Sequence, residues 1–266
     1  MKRFFTGALT RLVQALPRHR FLEHLALQYV FKYRGENAID PRINGEDRVA
    51  SKVLPPATVI FDVGANVGAW AEQAARWAPR ACIHCFEPSA ATFAQLTARG
   101  LPPERVVLNA FGLGDKAQTR TLYQFAGQSG LSSLYDRTGL EAHGVGRSTG
   151  TEEIRLETGD DYCRRQGLTH VDFIKVDVEG HELAVFQGLR GLLAAGGVDY
   201  LQFEYGGAYI DARILLKDIF EFFAPLPYDL CKIFPRWVQK VERYVQQLET
   251  FQYQNWLIVR RGLPLP

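Results

Sequence analysis

The stretch Val59-Ile60-Phe61-Asp62-Val63-Gly64-Ala65-Asn66-Val67-Gly68 constrains this chain more than any other: an apolar strand ends in an acid, turns through two glycines and enters a helix. Apolar residues around one carboxylate are the pattern of a parallel strand buried on both faces, and the Ala-rich run from Trp70 to Trp77 behind it is helix-forming. Gly64 and Gly68 carry no Cβ, so the backbone can bend sharply and a ligand can approach it, with the free N–H groups of the helix start facing that ligand. The plainer reading is a tight packing turn, so a second element has to support the first.

The spacing is G-x-N-x-G rather than the dinucleotide G-x-G-x-x-G. Asp62 would repel a pyrophosphate but welcome an amine or a sulfonium, which favours S-adenosylmethionine over NAD. Ala81 to Phe86 reads as the next strand, and Glu87 at its carboxyl end stands about twenty residues past the glycine turn, where Rossmann-like folds place a ribose-binding acid. The competing role for Glu87 is capping of the helix that starts near Ser89.

The chain has 266 residues, of which 47 % are hydrophobic, enough for one α/β domain plus an appendage. The net charge of +2 argues against a dedicated nucleic-acid binder, yet residues 1–34 hold seven Lys/Arg against one Glu, a local +6 that leaves −4 for the rest. There Phe5, Ala8, Leu9, Leu12, Val13 and Leu16 share one helix face, suited to an anionic membrane surface, a partner chain or the domain itself. No apolar run is long enough to cross a bilayer, and Arg11 and Gln14 interrupt a signal-type segment, so a cytoplasmic protein, peripheral to the membrane at most, is expected. Cys82, Cys85, Cys163 and Cys231 are too scattered for a disulfide scaffold, and on a strand Cys82 and Cys85 point to opposite faces, which disfavours zinc.

Residues 1–56 read as a basic helical extension and 57–266 as a Rossmann-like domain. Strands are expected near 58–63, 81–86, 105–109, 171–176, 199–204, 228–234 and 251–260, with helices near 68–78, 89–99, 180–195 and 212–223. This alternation predicts a doubly wound, mostly parallel seven-stranded sheet. The last two strands lack a strong helix between them, so the terminal strand should run antiparallel. An insertion at about 111–157 contains two further strand-like stretches, 119–125 and 153–157, around a Gly/Ser-rich loop expected to act as a lid.

The chemistry concentrates in Ile174-Lys175-Val176-Asp177-Val178-Glu179-Gly180-His181-Glu182, at the carboxyl end of the fourth strand, with Glu204 delivered to the same edge by its neighbour. These motifs, with Asp62–Gly68, Phe86-Glu87-Pro88 and Leu131-Ser132-Ser133-Leu134, resemble the FkbM family of S-adenosylmethionine-dependent methyltransferases over residues 42–260. The resemblance implies a class I fold and methyl transfer to a hydroxyl of a sugar, glycan or polyketide-type small molecule. The expected cofactor residues are Asp62, Gly64, Asn66, Gly68, Glu87, Asn109 (for adenine) and Ser132.

Asp177, Glu179, His181 and Glu204 are expected to face the acceptor. An aliphatic hydroxyl needs its proton taken: His181 is the natural base at neutral pH, Glu179 and Glu204 are the other candidates, and Asp177, Glu179 and Glu204 together would alternatively hold a divalent cation such as Mg²⁺. In the plainer reading Glu179 and Glu182 complement a helix start, His181 is a surface residue, and Lys175 neutralises the cluster. The rivals are an NAD-linked oxidoreductase and a non-catalytic cofactor-binding module.

Overall fold

The computed structural model describes residues 2–125, 127–138, 140 and 146–266. The side chains of Phe5, Ala8 and Leu9, and residues 126, 139 and 141–145 of the expected lid, lie outside what is described. The chain forms two units, Met1–Glu36 and Asn37–Pro266. The first holds α1 (Lys2–Ala15) and α2 (Arg20–Arg34), the latter closed by Gly35 in the left-handed region at φ 65°.

The boundary expected at residue 56 falls earlier. Helices α3 (Pro41–Asn44) and α4 (Glu46–Val53) belong to the second unit, where Val49, Ala50 and Leu54 pack with Ile60, Ile83 and Phe173 of the sheet. An apolar face on α4 is what draws it into that core.

In chain order the strands of the second unit are β1 (Val59–Val63), β2 (Cys82–Phe86), β3 (Val106–Asn109), β4 (Gly112–Leu113), β5 (Gln118–Gln124), β6 (Gly150–Glu157), β7 (Val171–Val176), β8 (Val198–Tyr205), β9 (Tyr228–Ile233), β10 (Val238–Lys240) and β11 (Gln254–Arg260). The main sheet has the order β10-β9-β11-β8-β7-β1-β2-β3. Its β8-β7-β1-β2-β3 stretch is parallel, and β11 runs antiparallel to both β8 and β9, as expected for the terminal strand. All seven expected strands are present, with the short β10 added at the edge.

Around the sheet lie α5 (Ala69–Trp77), α6 (Ala90–Ala98), α7 (Gly159–Gln166), α8 (Glu182–Gly188), α9 (Arg190–Ala194), α10 (Ala208–Ala212) and α11 (Leu216–Phe223). Alternate strand residues feed two cores: Phe61, Val63 and Ile174 on the α8 and α11 face, Ile60, Ile83 and Phe173 on the α4 and α5 face. The single helix expected over 180–195 is two, divided at Leu189, and the one expected over 212–223 starts at Leu216 because Arg213 turns left-handed at φ 57°. Within the insertion β5 and β6 pair antiparallel, and β4 joins β6 in a second small sheet. All four cysteines are free thiols.

Candidate functional site: two clefts on one carboxylate wall

The carboxyl ends of β1, β2 and β7 open into a cleft lined by Val63, Gly64, Asn66, Glu87 and Asp177. Gly64 takes φ +84°, and a Cβ there would stand 1.9 Å from the Asp177 carbonyl oxygen. Its glycine is therefore required by the close passage of the β1 turn against the end of β7. The next turn residue, Asn66, is itself left-handed at φ 49°, and its N–H donates to Glu87 Oε2 at 3.0 Å. The other Glu87 oxygen accepts from the Ser89 N–H at 2.9 Å, so one carboxylate fixes the glycine turn and the entry to α6 together. Burial pushes Glu87 up to about 7, against the pull of those two donors.

The insertion roofs this cleft. The Ser129 hydroxyl donates to Asn66 Oδ1 at 2.8 Å, and the Ser133 hydroxyl to the Glu179 carbonyl at 2.7 Å. Leu122, Leu134, Ile154 and Leu156 form a small apolar cluster whose members also line the cleft.

Of the expected cofactor residues, Gly64, Asn66, Glu87 and Ser132 line this cleft, whereas Asp62, Gly68 and Asn109 do not. Asp62 lies beneath it, 0 % exposed, with neither oxygen hydrogen-bonded. Burial raises it to about 7, although Lys175 pulls the other way. Gly68 caps α5, where a Cβ would meet Leu96 Cδ1 at 2.5 Å, so helix packing explains it. The Asn109 amide is spent inside the protein, donating to the Cys85 carbonyl at 3.0 Å and the Tyr162 hydroxyl at 3.3 Å. Its position at the strand end matches the expectation, but the interior takes its donors.

A second cleft opens on the other side of Asp177 and Glu179, and its walls include Arg137, Glu204, Tyr209 and Tyr253. Asp177 and Glu179 line both clefts and form the partition. Glu179 is held at φ 51° between the Ser133 hydroxyl on its carbonyl and Arg137 Nη1, 2.6 Å from its carboxylate. Burial drives Glu179 up to about 7 even though Arg137 opposes it. Burial and then Asp177 push Glu204 well above the usual carboxylate range, and Glu204 Oε1 accepts from the Tyr253 hydroxyl at 3.1 Å.

Lys175 lies beneath this partition in register with Asp62 on β1 and Gln202 on β8, its Nζ 2.6 Å from Asp177 Oδ2. Burial works against its charge, but Asp177, Glu204, Asp62 and Glu46 outweigh it and hold Lys175 above an ordinary lysine. The row continues as a buried network: Gln202 Nε2 donates to Glu46 Oε2 at 2.7 Å, and Asn255 Nδ2 to Glu46 Oε1 and the Tyr253 hydroxyl at 3.0 Å each. Lys175 thus does what its plainer reading suggests.

His181 lines the first cleft and not the second, apart from Glu204. Its Nδ1 meets the Tyr135 hydroxyl at 3.1 Å, and burial, then Arg120, lowers it to about 4. The ring is neutral at pH 7, and burial has made it a much weaker base than an ordinary histidine. The divalent-ion reading of Asp177, Glu179 and Glu204 is not supported. Asp177 is committed to Lys175, Glu179 to Arg137 and Glu204 to Tyr253. Among the described residues, the group whose ligand atoms do converge is His170, Asp172 and Asp199, at the amino ends of β7 and β8.

Residues 62–240, 179 of the 266, match the Methyltransferase FkbM domain family. The chain belongs to that family. The chain is 26 % identical over 201 residues to the 2-O-methyltransferase NoeI of Sinorhizobium fredii, covering 72 % of this chain and 81 % of the relative. It is 29 % identical over 182 residues to the hexuronic acid methyltransferase AglP of Haloferax volcanii, covering 66 % and 70 %. With the 31-O-demethyl-FK506 methyltransferase FkbM of Streptomyces tacrolimicus it shares 26 % identity over 163 residues, covering 52 % and 61 %.

This FkbM methyltransferase is an S-adenosylmethionine-dependent enzyme. The first cleft fits that donor: carboxylates stand ready for hydroxyls and for positive charge, an apolar roof suits a purine, and Asp62 is an unpaired buried acid under the floor. The NAD-linked alternative is not favoured, in keeping with the missing third glycine.

Proposed function

We propose that this FkbM methyltransferase methylates a hydroxyl of a sugar, glycan or polyketide-type small molecule in the cytoplasm. The observation that carries the reading is the shared partition: a cleft over the glycine turn and a second, carboxylate-rich cleft meet at Asp177 and Glu179. The donor supplies an activated methyl on a cationic sulfur. The protein must then align the acceptor, keep water out and take one proton.

In this reading Glu87 holds the ribose hydroxyls, the Gly64–Asn66 turn and Ser132 edge the donor, and Asp62 contributes negative charge from below. Neutral His181 shapes the donor cleft wall. The acceptor lies in the second cleft, where Glu204, with Glu179 beside it, receives the hydroxyl proton as the new oxygen–carbon bond forms. Burial raises the proton affinity of both, and a base works best when its pKa lies near the working pH, as that of Glu179 at about 7 does. Lys175 and Arg137 supply the fixed positive charge that a metal would otherwise bring. The relatives named as a 2-O-methyltransferase and as a 31-O-demethyl-FK506 methyltransferase support an oxygen acceptor, and the one named for a hexuronic acid supports a sugar-type one.

Calorimetry and a labelled-methyl assay against a panel of sugars and macrolides test this directly. S-adenosylmethionine should bind and NAD should not, and label should enter an O-methyl group. NAD binding without methyl-donor binding, or label recovered only on nitrogen or carbon, would overturn the reading.

A further inference from the structure

Helix α2 carries an apolar stripe that stays in solvent. Phe21, Leu22, Leu25, Tyr29 and Tyr33 fall within about 120° of its surface at 100° per residue, a sector that also holds Lys32, while the exposed Leu27 lies opposite. They are between 44 % and 76 % exposed, and no residue of α2 is buried. Leu12, Val13 and Leu16 before it are exposed as well. An amphipathic helix draws its stability mainly from the face it buries, so a stripe of this size requires an occupant.

Charge identifies the occupant. Arg11, Arg18, Arg20, Lys32 and Arg34 stand around this segment against the single Glu23, within the +6 of residues 1–34. A second copy docked stripe to stripe would set +6 against +6. Tyr29 and Tyr33, stacked with ring centroids 6.4 Å apart, join Phe21 and flanking cations in the combination that suits a headgroup boundary. At 15 residues α2 is too short to span a bilayer core, and among the described residues no helix is long and apolar enough to cross one.

We propose that residues 7–34 dock the protein onto an anionic phospholipid surface, with α2 lying in the plane of the interface, its stripe inserted and its cations against lipid phosphates. This goes beyond the methyl-transfer reading and does not depend on it.

Sedimentation of the full chain with phosphatidylcholine vesicles, with and without a third of the lipid as phosphatidylglycerol, tests the proposal. The chain should pellet with the anionic vesicles at low salt, be released at high salt, and stay in solution with phosphatidylcholine alone. The pair Leu25→Asp and Tyr29→Asp should lower the pelleted fraction about tenfold while the melting curve and methyl-donor affinity stay unchanged, since both side chains are exposed. Equal recovery with both vesicle types, or with neither, would overturn it. So would a dimer in sedimentation velocity that the double substitution dissociates, which would make a second copy the occupant.

Discussion

At the scale of single residues, the two clefts separate binding from chemistry. Glu204 faces the second cleft and Glu179 stands in the partition, so Glu204→Gln and Glu179→Gln, which keep shape and remove the basic oxygen, should each lower turnover by about 10²–10⁴, with the donor dissociation constant of Glu204→Gln within about twofold. Glu87 faces the first cleft, and its loss removes charged hydrogen bonds of about 1.5–3 kcal/mol. Glu87→Ala should therefore weaken donor binding by about 10–100-fold, with much of the turnover recovered at saturating donor. Calorimetry paired with initial rates distinguishes the two patterns; unchanged turnover in both glutamine variants would move the acceptor elsewhere. His181 belongs with Glu87 in this division. A base at the partition needs a deprotonated group with a strong affinity for a proton near neutral pH, and burial has removed that property from His181 while conferring it on Glu179.

At the scale of elements, the glycine turn is a joint between β1 and β7 before it is a ligand loop. Gly64→Ala would force a Cβ against the Asp177 carbonyl at a φ that alanine avoids, and should cost on the order of 3 kcal/mol as well as displacing Asp177. Chemical denaturation measures the first effect and donor affinity the second; an alanine variant of wild-type stability would show that the two strand ends are free to separate. The sheet was legible in the sequence because apolar runs such as Phe173-Ile174-Lys175-Val176 announce buried strands. Helix α7 was not, since Gly159-Asp160-Asp161-Tyr162-Cys163-Arg164-Arg165-Gln166 shows only Tyr162 and Cys163 as a buried apolar pair, and the Thr158 side chain capping the Asp161 N–H does much to start it. Asp177 and Glu179, which the two clefts share, stand in one motif at one strand end and were legible there. The network beneath them was not: Glu46 meets Asn255 across 209 residues and Gln202 across 156, and polar residues on different strands carry no periodicity that joins them. Arg137, in a Gly/Ser-rich loop, gave no signal either, although it is the cation that holds Glu179.

At the scale of the whole molecule, the site stores protons, and this sets the direction of its pH dependence. Burial holds Asp62, Glu87 and Glu179 at about 7 and Glu182 at about 8, with Glu204 higher than its ordinary value as well. Above pH ~4.5 the unfolded chain has released those protons while the folded chain keeps them, so each rise in pH favours unfolding until the folded values are passed. His84 and His181, both lowered to about 4 by burial, act in the opposite sense, but only up to their unfolded value near 6.5. Between pH 6.5 and 8 the acids act without that opposition. Stability of the ligand-free protein should fall across this window by on the order of 2–4 kcal/mol, or roughly 5–10 °C in Tm. Positive charge brought by the methyl donor should drive protons off the same acids. Donor binding should then release protons at pH 7, visible as a dependence of the calorimetric enthalpy on the ionisation enthalpy of the buffer, and donor stabilisation should grow from pH 6.5 to 8. Glu87→Gln should reduce both effects by removing one of the proton-holding groups in the donor cleft. A Tm that is flat or rising across the window, with no proton released on donor binding, would mean that Lys175 and Arg137 already keep the whole carboxylate wall ionised.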